Sequence, residues 1–241
     1  MNKIDKTKIK GILTDSGYVL IYPTLANNWF VCPNFFEYTN LSPNDTKSLE
    51  IAIQKSHHIL DLEKYTKIVN ESEEIQCFTD FYIEVFKNLN IDVDKTVINK
   101  LAIDITKNPK KYAFYDDSVQ IIPELKEKFK IALVSDAWPS MRTIYNYNNM
   151  TQYFDYIVIS SELGTMKPDK LMYQTALEKL NLKPEECIFL DDNIQNCIGA
   201  KKIGITPILV SRNHNDYINN LKQYKDYINI ENLSQLKDLI L

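Results

Sequence analysis

Asp15, Ser135, Lys167, Asp191 and Asp192 are the residues of this chain whose types and placement can carry chemistry. Asp15 follows the apolar run Gly11-Ile-Leu-Thr14, Ser135 ends the run that starts at Ile131, and Asp191-Asp192 follows Cys187-Ile-Phe-Leu190. Lys167 lies in Gly164-Thr-Met-Lys-Pro168. A carboxylate at a strand end can act as a nucleophile or a metal ligand. A serine hydroxyl beside backbone N–H groups can bind a phosphate oxygen. A lysine can neutralise that phosphate or the nucleophile. Two adjacent carboxylates directly after a buried run are costly unless paired or bound to a cation, and hard oxygen donors suit Mg²⁺. Singly, each residue has an ordinary alternative: a turn or cap for Asp15, a strand end for Ser135, a solvated lysine, a helix cap for Asp192.

Elements must bring these residues together. Apolar runs rich in Ile, Leu and Val that stop at a polar residue read as buried parallel strands. In open α/β sheets the ligand crevice lies at the strand tips. Strands are expected at 8–14, 131–135, 156–160, 187–191, 206–210 and 226–230, with helices near 121–129, 139–149, 169–180, 194–203 and 233–240. Pro168 fits the first turn of its helix. The alternation predicts a parallel sheet with helices on both faces. Between about 22 and 112 glycine disappears, and segments 46–61 and 75–90 carry apolar residues at helical spacing. Ser42-Pro43-Asn44-Asp45 reads as a turn and helix start. The expected organisation is an α/β core from 1–21 and 113–241 with an all-helical insertion, or cap, at 22–112.

The 241 residues are 44% hydrophobic and 25% charged, as in ordinary globular proteins, and the net charge of -4 leaves no basic footprint for nucleic acid. No apolar run approaches a membrane span, and the charged N-terminus lacks a secretory apolar region. Cys32, Cys77, Cys187 and Cys197 show no metal-binding spacing, so reduced thiols in a cytoplasmic protein are expected.

Four stretches occur in a telling order: Asp15-Ser-Gly-Tyr-Val-Leu20, Ser135-Asp136, Gly164-Thr-Met-Lys167-Pro168, and Asp191-Asp192-Asn193-Ile-Gln-Asn196 followed by Gly199-Ala200 and Gly204-Ile205. Together they resemble the motifs of the haloacid dehalogenase-like (HAD) hydrolase superfamily over residues 8–22 and about 115–240. Receiver domains share similar residues at strand tips, but there the acidic pair comes first and the lysine last. The resemblance implies a Rossmann-like core with a helical cap inserted after the first strand. It implies a Mg²⁺-dependent hydrolase that acts on a small phosphorylated metabolite through an aspartyl-phosphate on Asp15. Ser135 and Asp136 would bind the phosphoryl group, and Lys167 would stabilise nucleophile and phosphate. The metal would sit on Asp15, the backbone carbonyl of Gly17 and Asp191, supported by Asp192 and Asn196.

One position departs from the phosphatase pattern. The residue two beyond the nucleophile is Gly17, where phosphatases of the superfamily usually carry the acid/base aspartate. Loss of general acid–base help typically costs about 10²–10⁴-fold. Asp136 or a cap residue can replace it, activated leaving groups can do without it, or the protein binds a phosphorylated ligand with little or no turnover. A 2-haloacid dehalogenase is a further alternative, with the same nucleophile and no metal; the adjacent Asp191-Asp192 pair argues against it. The cap is expected to govern substrate choice. Asn27, Asn28, Trp29 and Phe30 could face the crevice or pack in the cap, and His57-His58 reads as a surface or packing pair.

Overall fold

The computed structural model describes residues 4–44, 46–60 and 68–241. Its strands are β1 (Gly11–Thr14), β2 (Ile21–Pro23), β3 (Tyr112–Phe114), β4 (Lys130–Ser135), β5 (Tyr156–Ile159), β6 (Cys187–Asp191), β7 (Thr206–Val210) and β8 (Ile228–Ile230). Six of them form one sheet in the order β5-β4-β1-β6-β7-β8, all parallel. The short runs of β-branched and aliphatic residues become strands because both faces of the sheet are covered; Ile12 and Leu13 of β1 are fully buried. Thr14 stands opposite Leu133 on one side and Leu190 on the other. The residues just beyond these three emerge at a single edge, as the α/β expectation requires.

The chain divides into two units, one of Met1–Tyr22, Phe114–Asp136 and Asn149–Leu241, the other of Pro23–Ala113 and Ala137–Asn148. In the first, the helix Lys170–Leu180 lays Met172, Tyr173, Ala176, Leu177 and Leu180 in a buried cluster with Leu13, Ala132, Val134 and Phe189. That stripe recurs at helical spacing. Its N-cap is Asp169, whose side chain accepts from the Leu171 N–H at 2.8 Å. Pro168 therefore stands before the cap rather than in the first turn, and the Lys167–Pro168 peptide is cis. The helix His214–Gln223 has no counterpart in the sequence reading. It buries none of its residues, and its apolar positions are only Tyr217, Ile218 and Leu221 among polar neighbours, a short signal beside the longer stripes.

Among its described residues the second unit is helical, and the two-stranded ribbon β2–β3 stands at the ends of the inserted block. Asn70 caps the helix Glu71–Leu89 by accepting from the Glu73 N–H, which starts it four residues before the apolar periodicity shows. Phe78, Phe81, Tyr82, Val85 and Phe86 from this helix centre the core of the unit. The predicted segment 46–61 is a helix over Thr46–Ser56 followed by a 3-10 turn over His57–Leu60. Residue 61 and Asp45, also part of these expectations, lie outside the described residues.

Segment 137–148, expected among the helices of the sheet, belongs to the helical unit instead. Trp138 meets the Phe78 ring edge-on at 4.8 Å. Ser140 donates its hydroxyl to Glu74 Oε1 at 2.5 Å and its N–H to Glu74 Oε2 at 3.0 Å. Lys111 Nζ donates to the Ser140 hydroxyl at 2.8 Å. Periodicity reports a buried face but not which core covers it; here a tryptophan and a buried ion pair decide. Among the described residues, no helix is long and apolar enough to cross a membrane. All four cysteines are unpaired and buried.

Candidate active site

Asp15 is the first residue beyond β1. Its N–H donates to the Leu190 carbonyl at 2.8 Å, which extends the ladder to β6 by one bond. The chain then folds back on itself: the Ser16 carbonyl accepts from the N–H groups of Val19, Leu20 and Ile21 at 3.3, 2.8 and 3.0 Å. Gly17 lies in this turn, and Tyr18 takes a left-handed φ of 51°, uncommon for a bulky residue.

Lys167 is placed from two directions. Its N–H donates to Asp136 Oδ1 at 2.9 Å. Pro168 packs on Gly199 so closely that a Cβ there would lie 2.7 Å from the proline Cβ and 3.0 Å from its carbonyl oxygen. With the backbone held, Nζ donates to Asp15 Oδ1 at 2.5 Å and to Asp191 Oδ2 at 2.8 Å. Asp191 closes β6 and is fully buried. Its Oδ1 accepts from the Asn193 N–H at 2.8 Å and from Asn196 Nδ2 at 3.1 Å, which fixes the orientation of the carboxylate. Asn193, not Asp192, caps the helix Ile194–Lys202, by accepting from the Gln195 N–H. This leaves Asp192 exposed, with its carboxylate available to the site.

One oxygen each from Asp15, Asp191 and Asp192 lies within 4.8 Å of the others. Burial holds the Asp15 carboxyl well above the ordinary carboxylate range; Lys167 opposes this, and Asp191 and Asp192 reinforce it. For Lys167, burial works against the charge, but Asp15, Asp191 and Asp136 outweigh it and hold the ammonium well above its usual value. A single cation thus faces a surplus of carboxylates. The three are all hard oxygen donors, with no thiolate or imidazole among them, and fit Mg²⁺ or Ca²⁺ better than softer metals.

Ser135 ends β4 beside β1 and is 2% exposed. Asp136 follows it, with one carboxylate oxygen committed to the Lys167 backbone; burial raises its pKa, partly offset by Lys167. Asn196 Nδ2 donates to both oxygens of Asp191, at 3.1 and 3.2 Å. Asn27, Asn28, Trp29, Phe30, His57 and His58 belong to the helical unit. There Asn28 Oδ1 accepts from the Phe30 N–H at 2.9 Å, Trp29 meets the Tyr112 ring at 4.8 Å, and His57 meets Phe30 at 5.0 Å. His58 Nδ1 lies 2.9 Å from the Lys55 carbonyl oxygen. Tyr173 is a supporting residue that the sequence did not reveal. Its hydroxyl donates to the Asn196 carbonyl at 2.9 Å, and its ring packs edge-on against Phe189. In sequence it is one more apolar position of a helix stripe.

A family profile described as haloacid dehalogenase-like hydrolase matches residues 45–210, which takes in Ser135, Lys167 and Asp191 but begins beyond Asp15. The rhythmically expressed gene 2 protein of Drosophila melanogaster is 33% identical over 45% of this chain and 43% of its own length. The chain spans less than half the length of the first curated relatives it matches. Among solved structures, L-2-haloacid dehalogenase from Xanthobacter autotrophicus superposes with a TM-score of 0.65 at 16% identity, covering 96% of this chain and 98% of that one. A HAD family enzyme from Bacteroides thetaiotaomicron, solved with magnesium and inorganic phosphate, gives 0.57 at 18% identity over 84% and 94% of the two chains. The superpositions establish a shared fold. With the profile spanning more than half of the residues, and the carboxylates and lysine gathered at one sheet edge, the chain belongs to the haloacid dehalogenase-like hydrolase family.

Proposed function

We propose that this protein is a Mg²⁺-dependent phosphohydrolase acting on a small phosphorylated metabolite through Asp15. The observation that carries the proposal is one buried ammonium, Lys167 Nζ, bonded to carboxylates from two neighbouring strand tips while a third carboxylate stands within 4.8 Å. The relative solved with magnesium and phosphate supports the same chemistry. In this proposal the sheet unit is the catalytic core and the helical unit the cap that selects the substrate. Unpaired, buried cysteines favour a reducing compartment, the cytoplasm.

Asp15 attacks phosphorus, the ester oxygen leaves with the bonding electron pair, and an aspartyl-phosphate forms. Water then adds to that phosphorus, orthophosphate leaves, and the carboxylate is restored. Lys167 neutralises charge on Asp15 and on the phosphoryl oxygens, and Ser135 binds one of those oxygens. Positioning and charge neutralisation are the main requirements of such a transfer. Mg²⁺, held by Asp15, Asp191 and the Gly17 carbonyl, with Asp192 and Asn196 in support, would supply further positive charge to the transferring group. Gly17 leaves no carboxylate to protonate the departing oxygen. Asp136, raised by burial, is the replacement to examine first.

The test is turnover of an activated aryl phosphate and an alkyl phosphate, with Mg²⁺ and with chelator, beside Asp15→Asn. Mg²⁺-dependent release of phosphate, lost in Asp15→Asn and faster for the aryl ester, is expected. Binding of a phosphorylated ligand without turnover, read as a thermal shift, would make this a ligand-binding protein. Halide release from a 2-haloacid, indifferent to chelator, would move it to the dehalogenases, whose fold it shares.

A further inference from the structure

A second cation is bound to the turn that follows Asp15. β7 ends at Val210, and the chain continues through Ser211 to Arg212. The Arg212 guanidinium donates from Nε to the Val19 carbonyl at 3.1 Å and from Nη2 to the same oxygen. Nη1 donates to Asp117 Oδ2 at 2.7 Å, and Nη2 also reaches the Ser118 hydroxyl at 3.3 Å. The guanidinium lies 4.2 Å from the centroid of the Tyr115 ring. Tyr115 in turn donates its N–H to the Leu20 carbonyl at 3.0 Å. Two consecutive carbonyls, Val19 and Leu20, are thus held from outside the turn, while inside it the N–H groups of Val19, Leu20 and Ile21 converge on the carbonyl of Ser16 and the Tyr18 N–H donates to the Ile21 carbonyl at 2.8 Å. Ser16 lies between Asp15 and Gly17.

The conformation of this turn does not come free. A left-handed φ is strained for a residue such as Tyr18, and such conformations persist where the surroundings over-determine them. A guanidinium suits that task. Its donors are fixed in a plane, so a fork closed on one carbonyl and anchored by Asp117 restricts both position and direction. A lysine could neutralise Asp117 but could not hold Val19 and Asp117 in one rigid fork. The sequence offers the matching signal: the apolar run Pro207–Val210 stops at polar residues, as do the runs before Asp15, Ser135 and Asp191.

We propose that Arg212 is a positioning residue for the reaction. By clamping the Val19 carbonyl it holds the turn Ser16–Ile21, and so keeps the Asp15 carboxylate and the Gly17 carbonyl in their working orientations. The inference rests on the phosphohydrolase proposal above, and it extends that site to the tip of a further strand.

The test compares Arg212→Met, Arg212→Lys and a stability control, Ile240→Ala or Ile240→Val, chosen to match the loss in Tm. Ile240 is a buried core residue at the far end of the last helix. Mg²⁺ binding is measured by calorimetry, and kcat and KM with p-nitrophenyl phosphate. Arg212→Met is expected to lower kcat about a hundredfold with KM unchanged, as a displacement of about 1 Å at the reacting groups does. It should also weaken Mg²⁺ binding about tenfold or more, as loss of a supporting contact does. Arg212→Lys should recover part of both, and the Ile240 control should change neither. Wild-type kcat and Mg²⁺ affinity in Arg212→Met, or equal losses in the control, would overturn the inference. Should Arg212→Met not fold, Arg212→Lys decides alone: wild-type values for both overturn it, reduced values for both support it. A wild-type protein that neither binds Mg²⁺ nor turns over the ester overturns the underlying proposal and this inference with it, whereas a failure confined to the Arg212 variants leaves the proposal standing.

Discussion

Among the described residues each unit buries one lysine, Lys167 in the sheet unit and Lys111 in the helical unit, at 7% and 3% exposure. Their surroundings differ. Lys111 Nζ donates to the Ile105 carbonyl at 2.6 Å and to the Ser140 hydroxyl at 2.8 Å, with Glu74 Oε1 at 4.0 Å. Ser140 occupies both oxygens of Glu74. Glu74 is the carboxylate at ion-pair distance, Glu71 and Asp104 favour the charged lysine from further away, and neutral protein groups supply its hydrogen bonds. Burial dominates there: it depresses Lys111 to about 8 and raises Glu74. Lys167 contacts Asp15 and Asp191, and Asp192 stands within reach of both. Its pKa moves the opposite way. A buried charge is therefore not by itself a sign of function. The Lys111 cluster joins segment 137–148 to its unit; the Lys167 cluster gathers carboxylates at adjoining strand tips, and only there does the proposed function place a cation and a phosphoryl group.

The comparison breaks most visibly at Asp15. Asp15→Asn should abolish phosphate release, by about 10³-fold or more, as loss of a catalytic nucleophile does. In chelator its Tm should equal or exceed that of the wild type, because one member of a crowded carboxylate set has become neutral. Glu74→Gln, by contrast, should lower Tm and leave phosphate release unaffected at temperatures where the protein is folded. Equal destabilisation by the two substitutions would show that the surplus of charge at the strand tips is not real.

The next largest effect belongs to Lys111. Removing one member of a buried pair strands the other, at a typical cost of about 3–5 kcal/mol. Lys111→Met should show a loss of that order in denaturant unfolding. Adding Glu74→Gln should return part of it, since the stranded charge is then gone. A double variant no more stable than Lys111→Met would mean that the pair is not coupled.

The strand tips were legible because chemistry and fold leave the same mark there. A run of Ile, Leu and Val that ends in Asp or Ser states both where the strand stops and what it presents, as at Asp15, Ser135 and Asp191. The helical unit left a coarser mark. Periodicity revealed helices in 46–61 and 75–90, but the role of Glu74 and Ser140 depends on a pairing across 66 residues that no local pattern encodes. Tyr173 was hidden for a related reason: an aromatic residue on an apolar stripe reads as core, and here it is core whose hydroxyl also holds Asn196. Asp192 was read as a possible cap because the next helix needs one; Asn193, one residue on, fills that role.

Gly199 sharpens the sheet side of the comparison on a smaller scale. In an exposed helix, Gly→Ala is worth about 1 kcal/mol of added stability. At Gly199 the new methyl would meet the Pro168 ring and carbonyl at 2.7 and 3.0 Å, groups that cannot swing aside. Overpacking of this kind costs about 1–3 kcal/mol, so Gly199→Ala should be neutral to destabilising. It should also lower kcat, because the displaced segment carries Lys167. A stabilised variant with wild-type kcat would show that the position of Lys167 does not depend on this contact.

The last effect is a pH dependence confined to the cluster around Lys111. Lys111 titrates near 8 in the folded protein and at its ordinary value of 10.5 when unfolded. Between these values the unfolded chain binds more protons, so the contribution of this group to stability rises with pH. Below about 8 the lysine is charged in both states and the burial penalty is present in full; above 10.5 it is neutral in both and the penalty is gone. Glu74 favours the charged lysine, and that pull is already contained in the value near 8. Urea unfolding between pH 7 and 11 should therefore show wild-type stability rising relative to Lys111→Met, by about 3 kcal/mol. In Glu74→Gln the lysine has lost the carboxylate that favours its charge, so the rise should begin at lower pH and be larger. A difference between wild type and Lys111→Met that stays flat across the range would place Lys111 at its ordinary pKa, and the contrast between the two buried lysines would then rest on Lys167 alone.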